Sequence, residues 1–500
     1  MKMLTRSVAL ALAILLCDRP EASEPGPPNI VLIIADDLGW ADVGVNNPDC
    51  FYSTPELNAF AASGTNFTAG YATSPVCSPS RVSLMTGRDP AHTATTSWFW
   101  TKPLRNASYR TATYVNQLPL SERTVAELLR DTGYRTAFFG KWHLGHEADR
   151  SPDARGFEHN IGGTWRGAPG KGGYFAPYAP DMPGLSEAPE GEHLPARLTD
   201  EAIAWMDRDD DRPFFLTLSY YSVHTPLDGR EDLIEDYQVR ADKLAYADDE
   251  RWGDEAQVWP GARERHPTRR VRERQDHAVY AAMVDAMDEH IGRLIDAIDD
   301  QGLAHRTLVI FTSDNGGLST AEGSPTSNLP LRGGKGWLYE GGVRVPLILR
   351  WPGIGVPGAA ISEPATGADV FATIIDAAGL DPISGDGISL RGVLSNDPPP
   401  VPRSIFWHYP HYSNQGGHPG GAIRRGNWKL IQRYEDGMLE LFDLNRDIGE
   451  RSNLIEARPQ LANELVSELH AYLRRTDARF LRPKGTNNPW LPPYKQGDRQ

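Results

Sequence analysis

The sequence has few cysteines and no excess of positive charge. Its 500 residues include three cysteines, and the formal net charge at pH 7 is −15. The acidic balance argues against nucleic acid as a partner, because a surface that binds phosphates needs an excess of basic residues. Hydrophobic residues make up 40% of the chain, which is enough to bury a large core. We therefore expect a globular protein with one large domain and a smaller one.

The segment 1–23 has the pattern of a secretory signal peptide. It begins with basic residues, continues through a short apolar run and ends in small residues. That run is too short to span a bilayer, and the sequence offers no other candidate transmembrane segment. We expect export to the periplasm or the extracellular space. Cys17 offers the alternative of a lipoprotein anchor, although Leu16 stands where such cleavage sites require a small residue.

Four apolar segments of the mature chain predict strands of a mostly parallel sheet. They alternate with helical patterns, and each runs into polar residues. An α/β domain of this kind has its site at the carboxyl ends of the strands, so the polar side chains should converge. The segments and the polar residues that follow them are 29–35 with Asp36 and Asp37, 136–140 with Lys141, 213–221 with His224, and 307–311 with Asp314 and Asn315.

A proline cluster near residue 400 predicts a domain boundary. Paired strands at 422–431 and 439–444 and an amphipathic helix at 460–476 would build the smaller domain. The stretch 227–275 is charged and aperiodic, which favours a solvated insertion on a loop. After the signal peptide we expect a large α/β domain over 24–395, a smaller α+β domain over 396–485 and a tail over 486–500.

The four polar residues Asp36, Asp37, Asp314 and Asn315 offer only oxygen atoms as metal ligands. Oxygen donors of this kind suit Ca²⁺ or Mg²⁺, and the sequence has no Cys or His pair at zinc spacing. A single Asp at a strand end is more often a cap or a turn residue. Two adjacent carboxylates at a buried strand end repel each other unless a cation lies between them. The pattern therefore predicts a site for a hard cation.

Residues 73–87 predict a loop that enters a helix with Cys77 at its N-terminus. Ser78 fits an N-cap and Pro79 fits the first helical position, where a missing N–H costs nothing. Gly87 would end the helix. The prediction places a sulfur atom beside free backbone amides.

Such a position would stabilise an anion on Cys77. The helix N-terminus and Arg81, one turn further on, both supply positive charge. Two other interpretations stay open at this point. Cys77 could be a buried, inert cysteine, or it could form a disulfide with Cys50, the other cysteine of the mature chain.

Six motifs occur in the order seen in type I, formylglycine-dependent sulfatases, and the chain resembles that family from about residue 29 to 475. The resemblance implies an alkaline-phosphatase-like sulfatase domain with a mostly parallel central sheet, followed by the smaller α+β domain. Within the family the chain is similar to bacterial polysaccharide sulfatases. The motifs are the strand ending in Asp36-Asp37, Cys77-x-Pro79-x-Arg81, Gly140-Lys141-Trp142-His143, His224-Thr225-Pro226, Asp314-Asn315-Gly316-Gly317, and the glycine-rich pair 331–336 and 340–346.

The resemblance implies two groups that the sequence does not itself encode. One is a Ca²⁺ ion held by Asp36, Asp37, Asp314 and Asn315. The other is a formylglycine that a formylglycine-generating enzyme makes from Cys77 during maturation, and one of its oxygens would join the calcium ligands. One hydroxyl of the hydrated aldehyde would attack sulfur, and the other would collapse to release sulfate.

The resemblance also assigns roles to five charged or titratable residues. Arg81 would steady the hydrated aldehyde, and Lys141 and Lys335 would hold the sulfate oxygens. His143 would contact the aldehyde hydroxyl as a base, and His224 would face the leaving alcohol as a general acid.

A sulfated carbohydrate, of galactose or glycosaminoglycan type, is the implied substrate. Trp98, Trp165 and His411 lie in aromatic clusters that could contact the sugar, because aromatic faces stack on sugar rings and histidine binds hydroxyl groups. Core packing of the same side chains is the alternative. Two rival functions also stay open: a phosphate or phosphonate monoester hydrolase on the same scaffold, and a non-catalytic glycan-binding protein in which Cys77 is never converted.

Overall fold

A computed structural model describes residues 26–101, 107, 109–208, 210–256, 268–397 and 402–484. The expected signal peptide, Cys17 and the tail 486–500 lie outside the described residues. Among the described residues, no helix combines the length and the apolar character needed to cross a membrane.

The strands of the described chain are numbered in chain order. They are β1 (Asn29–Ala35), β2 (Thr65–Phe67), β3 (Gly70–Tyr71), β4 (Tyr109–Arg110), β5 (Arg135–Gly140), β6 (His159–Ile161), β7 (Phe214–Ser219), β8 (Trp252–Glu255), β9 (Arg269–Arg272), β10 (Thr307–Ser313), β11 (Leu347–Arg350), β12 (Ala359–Ile361), β13 (Ala365–Thr366), β14 (Ser404–Tyr409), β15 (Gly420–Arg425), β16 (Trp428–Arg433), β17 (Leu439–Asp443) and β18 (Arg482–Pro483).

The α-helices of the described chain are numbered in the same way. They are α1 (Pro55–Ser63), α2 (Cys77–Thr86), α3 (Pro90–Thr93), α4 (Val125–Asp131), α5 (Leu194–Met206), α6 (Glu231–Leu244), α7 (Ala278–Asp300), α8 (Glu340–Val343), α9 (Gly367–Ala377), α10 (Arg391–Leu394) and α11 (Pro459–Arg475).

A mostly parallel sheet of eight strands forms the centre of the molecule, in the order β12-β2-β11-β10-β1-β7-β5-β6. The four strands predicted from sequence are the neighbours β10, β1, β7 and β5, and they run parallel to one another. The antiparallel strand is β11, which pairs with β10 on one side and with β2 on the other. The α/β prediction is therefore confirmed.

Both faces of the sheet are covered by helices, which explains why its central strands are largely apolar. In β1, Val31 and Ile33 pack on the face covered by α1, α5 and α7. The alternate residues Ile30, Leu32 and Ile34 pack on the face covered by α2, α4 and α9. Successive side chains of a strand point to opposite faces, so one apolar run supplies two cores.

A second, antiparallel sheet follows in the order β14-β15-β16-β17. Helix α11 covers one of its faces, where Leu465 and Leu469 pack with Ile423 and Leu430. Trp407 lies on the other face, in a cluster with Trp337 and other residues of the first part of the chain. The C-terminal sheet is thus held between its own helix and the rest of the molecule. The exact limits 24–395 and 396–485 stay a prediction.

A buried group of charged residues also joins the C-terminal sheet to the first part of the chain. Lys429 Nζ lies 2.8 Å from Glu340 Oε1 and 2.9 Å from Glu450 Oε1, and all three side chains are fully buried. Tyr71 Oη donates to Glu340 Oε2 at 2.6 Å. We call this group the docking cluster; its members are Tyr71, Glu340, Arg344, Arg424, Lys429 and Glu450.

Two local predictions are wrong. The stretch 227–275 is not a plain solvated loop, because it contains α6 and the hairpin of β8 and β9, which pair antiparallel. Tyr237 and Ala241 give α6 a buried stripe against the core. The segment 422–431 is not one strand, because it turns at Gly426, which has a φ of +58°, and continues as β16.

Candidate active site

The carboxyl ends of β1 and β10 bring four predicted ligands together. The two strands are in parallel register, with Ala35 opposite Ser313, so the residues after each strand meet. Asp37 N donates to Asp314 Oδ1 at 3.2 Å, and Asn315 Nδ2 donates to Asp37 Oδ1 at 2.8 Å. All four side chains, including Asp36, are buried. The expected convergence of polar strand ends is observed.

Three cations pair with the three carboxylates. Lys141 Nζ lies 2.6 Å from Asp36 Oδ2, and Lys335 Nζ lies 2.7 Å from Asp37 Oδ2. Arg81 Nε lies 2.7 Å from Asp314 Oδ2. These pairs balance the formal charge of the group. We call the group the catalytic cluster; its members are Asp36, Asp37, Arg81, Lys141, Asp314, Asn315 and Lys335.

The pKa values of two aspartates in the cluster are shifted in opposite directions. Burial raises the pKa of Asp36 well above its usual range, and the charges of Asp314 and Asp37 add to this effect against the attraction of Lys141. Burial also opposes ionisation of Asp37, but Lys335, His224 and Lys141 outweigh it and lower its pKa. Additional positive charge beside Asp36 would therefore favour its ionised form.

Two buried oxygen atoms of the cluster have no hydrogen-bond donor among the described residues. They are Asp36 Oδ1 and Asn315 Oδ1. Asp36, Asp37 and His224 also place one ligand atom each within 4.8 Å of one another. A buried acceptor without a donor costs about 1–3 kcal/mol, and a hard cation would supply the missing partner. The residues present therefore fit a hard metal ion held by oxygen atoms.

Helix α2 begins at Cys77 and ends before Gly87, which has a φ of +69°. The N-cap residue is Val76, so the prediction that Ser78 is the cap is wrong. Ser78 Oγ instead lies 3.2 Å from His143 Nε2 and accepts a hydrogen bond from Phe99 N. The hydroxyl that would have capped the helix thus holds the histidine beside it.

Cys77 lies at the mouth of this helix and faces His143. Its Sγ is 3.5 Å from His143 Nδ1, and the residue is 3% exposed. Cys77 and Cys50 are both free cysteines, so the disulfide interpretation is wrong. Burial raises the pKa of the Cys77 thiol against the attraction of Lys141 and Lys335. The site does not favour a thiolate, and an unmodified Cys77 would be a poor nucleophile at neutral pH.

Arg81 connects α2 to the strand ends as well as to Asp314. Its Nη1 donates to Lys141 O and to Ser219 Oγ, both at 2.7 Å. Asp314 and the other acidic neighbours raise the pKa of Arg81 despite its burial. The guanidinium therefore fixes Lys141 and Asp314 relative to Cys77.

The backbone is strained at three residues around the site. Asp37, Trp100 and His143 have φ angles of 61°, 62° and 58°, in the left-handed region that side chains other than glycine rarely adopt. Such conformations cost of order 1–3 kcal/mol each and collect at functional sites.

A Cβ atom on Gly316 would lie 1.9 Å from Gly341 O, so the glycine-rich motifs pack directly on each other.

The two histidines of the site are held neutral. Burial and the nearby cations Lys141 and Arg81 lower the pKa of His143 well below its usual value. Burial and Lys335 lower the pKa of His224 to about 3. Because Thr225 O can only accept, His224 Nδ1 carries the proton of their 2.7 Å hydrogen bond. Its Nε2 then faces Asp37 Oδ2 at 3.6 Å with a free lone pair.

A cavity of about 320 Å³ opens above the catalytic cluster. Cys77, His143, His224 and Lys335 line its floor. Four aromatic and three polar residues also line the cavity, and we call them the aromatic wall and the polar wall. The wall residues are Trp98, Phe99, Trp100 and Trp165 on the aromatic side and Glu322, Asn414 and Gln415 on the polar side.

Two of the predicted site residues, Lys141 and His411, do not line this cavity. Lys141 does not line it, because its ammonium is fully buried behind the floor against Asp36. His411 is 1% exposed, and its Nε2 lies 2.7 Å from Thr96 Oγ1. The predicted sugar contact by His411 is therefore not supported by its position, since the ring is enclosed by protein. Trp98 and Trp165 do line the cavity, as the substrate prediction requires.

The polar wall was not found from the sequence. Glu322, Asn414 and Gln415 belong to no recognised motif and lie on two loops that are 92 residues apart along the chain. No feature of the sequence indicates that these two loops come into contact in the folded chain.

Family comparisons match both parts of the chain. The sulfatase family profile matches residues 28–380, and the profile described as N-sulphoglucosamine sulphohydrolase, C-terminal, matches residues 334–479.

Individual proteins similar to the chain include named sulfatases. A sulfatase of Formosa agariphila is 29% identical and covers 90% of this chain and 89% of its own length. The N-acetylgalactosamine-6-sulfatase of Mus musculus is 32% identical and covers 74% of this chain and 66% of its own length. The crystal structure of Ps i-CgsB in complex with k-i-k-neocarrahexaose superposes with a TM-score of 0.69 at 26% identity. It covers 94% of this chain and 96% of its own.

Proposed function

The chain belongs to the sulfatase family and is a sulfuric ester hydrolase, and we propose that its substrate is a sulfated carbohydrate. The observation that carries the proposal is the cavity above Cys77. Its floor carries cationic and neutral imidazole groups for a sulfate ester, and its aromatic wall provides flat apolar faces for a sugar ring. The rival interpretation as a non-catalytic glycan-binding protein does not account for a buried charge cluster beneath the cavity.

Similar proteins support the carbohydrate assignment. The mouse relative is named for a sulfated amino sugar, and Ps i-CgsB was crystallised with an oligosaccharide. The aromatic wall places Trp100 and Trp165 edge to face, with ring centroids 5.3 Å apart. One ring face can then stack on a sugar while the other ring fixes its orientation.

We propose that Asp36, Asp37, Asp314 and Asn315 hold one Ca²⁺. The donor set is rich in oxygen, and two of its oxygen atoms have no donor among the described residues. A bound dication would neutralise charge that develops on the sulfate oxygens. With three carboxylates and three cations the cluster is balanced, so binding of the dication would leave it positive and ready for an anionic ester.

We propose that Cys77 is converted to formylglycine, so that Sγ marks where the aldehyde oxygen would stand. The hydrated aldehyde would supply two hydroxyl groups, one for attack on sulfur and one for collapse. His143 Nδ1, which faces Sγ at 3.5 Å, is placed to exchange a proton with that oxygen. Arg81 would hold Lys141 and Asp314 in place around it.

Lys335 and His224 would act on the ester itself. Lys335 lines the cavity, and burial beside Asp37 keeps its ammonium charged, because that carboxylate raises its pKa. His224 lies on the same floor, and an anionic ester beside it would raise its pKa from about 3. The imidazole could then give a proton to the leaving alcohol. Lys141 would contribute its positive charge from its position beside Asp36. Direct contact between Lys141 and a sulfate oxygen stays a prediction.

Maturation and export complete the proposal. A formylglycine-generating enzyme would modify Cys77, and the pattern over 1–23 would direct the chain to the periplasm or the outside of the cell.

The proposal is tested by release of free sulfate from a substrate panel. Wild-type protein from a host that carries a formylglycine-generating enzyme is assayed on monosulfated galactose, N-acetylgalactosamine and N-acetylglucosamine, and on matched phosphate and phosphonate esters. Release of sulfate from at least one sugar at a kcat/KM well above that for the phosphorus esters is expected. Faster turnover of the phosphorus esters would favour the rival hydrolase.

A further inference from the structure

The polar wall of the cavity carries a carboxylate that the proposed chemistry does not use. Glu322 is exposed, unlike the buried carboxylates of the catalytic cluster, and it lines the same cavity as the tryptophans. It lies on the loop that follows β10 and Asp314-Asn315, so the same loop carries two of the proposed metal ligands and this side chain. An acidic group in a pocket for an anionic ester is unexpected unless it contacts another part of the substrate.

One oxygen of Glu322 is fixed by two side-chain amides. Asn414 Nδ2 and Gln415 Nε2 both donate to Glu322 Oε1 at 2.8 Å. Oε2 has no hydrogen bond to any residue in the described part of the chain. The carboxylate is therefore anchored through one oxygen and offers the other as an acceptor.

Hydrogen bonds fix the orientation of the Gln415 side chain. Gln415 is 2% exposed, and its Oε1 accepts a hydrogen bond from Ser413 Oγ. Its backbone carbonyl accepts from Thr320 Oγ1 at 2.7 Å and from Trp337 Nε1 at 3.0 Å. Because Oε1 is occupied, the amide nitrogen must face Glu322. A rigid buried residue thus determines which way the carboxylate points.

The backbone at Glu322 and the two residues after it is also strained. Glu322 has a φ of 53°, Gly323 of 92° and Ser324 of 45°, so three consecutive residues lie in the left-handed region. Two of the three carry side chains that disfavour this conformation. A turn that served only to connect elements could place glycine there instead.

We propose that Glu322 is a specificity-determining residue that accepts a hydrogen bond from a hydroxyl group of the sugar ring; this inference rests on the proposed carbohydrate substrate. The ring stacks against the tryptophans, its sulfate points down to Lys335 and Cys77, and a hydroxyl on the opposite edge reaches Glu322 Oε2. A carboxylate can only accept, so the matching group must donate. A second sulfate at that position is rejected by charge repulsion.

The test compares a sugar sulfate with 4-nitrophenyl sulfate, which has no ring hydroxyl. The sugar is the monosulfated member of the panel that the wild-type enzyme hydrolyses fastest. In Glu322→Ala, kcat/KM for the sugar should fall about 10- to 100-fold, the range for a hydrogen bond to a charged group. Glu322→Gln should show an intermediate loss. On 4-nitrophenyl sulfate both variants should stay within about 3-fold of wild type.

Deoxy derivatives of the same sugar identify the donor. Removal of the hydroxyl that faces Glu322 should cost the wild-type enzyme as much as the alanine substitution does, and it should cost Glu322→Ala nothing further. Glu235→Gln, at an exposed glutamate on α6, is the matched control and should change neither substrate. Thermal unfolding of each variant checks the fold, which an exposed side chain is not expected to disturb.

Equal losses on both substrates in Glu322→Ala would overturn the inference, as would additive effects of the substitution and every deoxygenation. In those cases the wild-type enzyme still hydrolyses the sugar, so the proposed function stands. If the wild-type enzyme cleaves 4-nitrophenyl sulfate but no sugar sulfate, the proposed substrate class and this inference fail together.

Discussion

The catalytic cluster and the docking cluster are both buried, both rich in charge and both built from lysine, arginine and carboxylate. In the docking cluster, Glu340 Oε1 forms an ion pair with Lys429, and Glu340 Oε2 contacts Tyr71 and Arg344. In the catalytic cluster, Asp36 Oδ1 and Asn315 Oδ1 receive no donor among the described residues. The catalytic cluster also forms part of the floor of a cavity. Glu450 Oε1 of the docking cluster likewise has no hydrogen bond within the described part of the chain, although Lys429 Nζ lies 2.9 Å from it. Burial, charge and an unpaired acceptor therefore do not identify a site by themselves, and the adjoining cavity is what separates the two clusters.

The largest expected effect comes from removing Cys77, which lies beside the catalytic cluster and lines the same cavity as Lys335. Cys77→Ala should lower kcat by more than about 10⁴-fold, the scale seen when a nucleophile is removed. The melting temperature should change by no more than about 2 °C, because a small side chain at a cavity floor contributes little packing. Activity assays and thermal unfolding measure both, with Cys50→Ala as the matched control. Substantial turnover by Cys77→Ala would refute the assignment of the nucleophile.

Removal of Lys429 should have the opposite signature. Lys429→Met leaves Glu340 and Glu450 buried without their shared cation, which should cost about 3–5 kcal/mol of unfolding free energy. Turnover per folded molecule should stay within about 2-fold of wild type. Urea unfolding followed by activity at low urea tests this, and Lys243→Met on the surface of α6 is the control. A specific loss of turnover without loss of stability would show that the docking cluster takes part in catalysis.

Chelation should act on the catalytic cluster alone. Treatment with EDTA should lower activity and melting temperature together, because the free energy of metal binding is lost and Asp36 Oδ1 and Asn315 Oδ1 are left without a partner. A ligand present at about 100 times its Kd stabilises by about 2.7 kcal/mol, which sets the scale of the shift. Added Ca²⁺ should restore both properties. Rescue by zinc but not by calcium would contradict the oxygen-rich ligand set.

The docking cluster should make stability depend on pH through Glu450. Burial, together with Glu340, raises the pKa of Glu450 to about 7 against the attraction of Lys429. A carboxyl group with a raised folded pKa binds its proton more tightly in the folded state, so its contribution is full below the unfolded pKa of 4.5 and is lost as pH rises to about 7. Glu450→Gln should therefore gain about 1–2 kcal/mol relative to wild type between pH 5 and pH 7. Parallel stability curves for the two proteins would contradict this sign.

Local sequence patterns predicted the central fold. The apolar runs before Asp36, Lys141, His224 and Asp314 became neighbouring strands, because strands buried on both faces need no partner information to be recognised.

The errors arose where distant contacts override the local pattern. Helix α6 was missed because its mostly charged sequence hides a narrow buried stripe around Tyr237. Serine is a residue type favoured at an N-cap, but the Ser78 hydroxyl group forms its hydrogen bonds with His143 and Phe99 N instead. His411 has the right chemistry for a sugar contact but is enclosed by Thr96 and Tyr114. Tertiary packing of this kind leaves no periodic signal in the sequence.

The catalytic cluster itself could be listed from motifs, but its arrangement could not. The motifs named Lys141 and Lys335 as equivalent sulfate ligands, whereas the structure places one behind the floor and the other on it. The pairing of Glu322 with Gln415 depends on two loops that meet only in the folded chain.

Mass spectrometry of the peptide that contains residue 77 shows whether Cys77 is converted to formylglycine. The protein is purified in active form from a host with a formylglycine-generating enzyme and digested without reduction. We expect a residue in which the side chain has lost sulfur and two hydrogens and gained one oxygen, and which reacts as an aldehyde with a hydrazide. An unmodified Cys77 thiol in protein that hydrolyses sulfate esters would refute the proposed formylglycine.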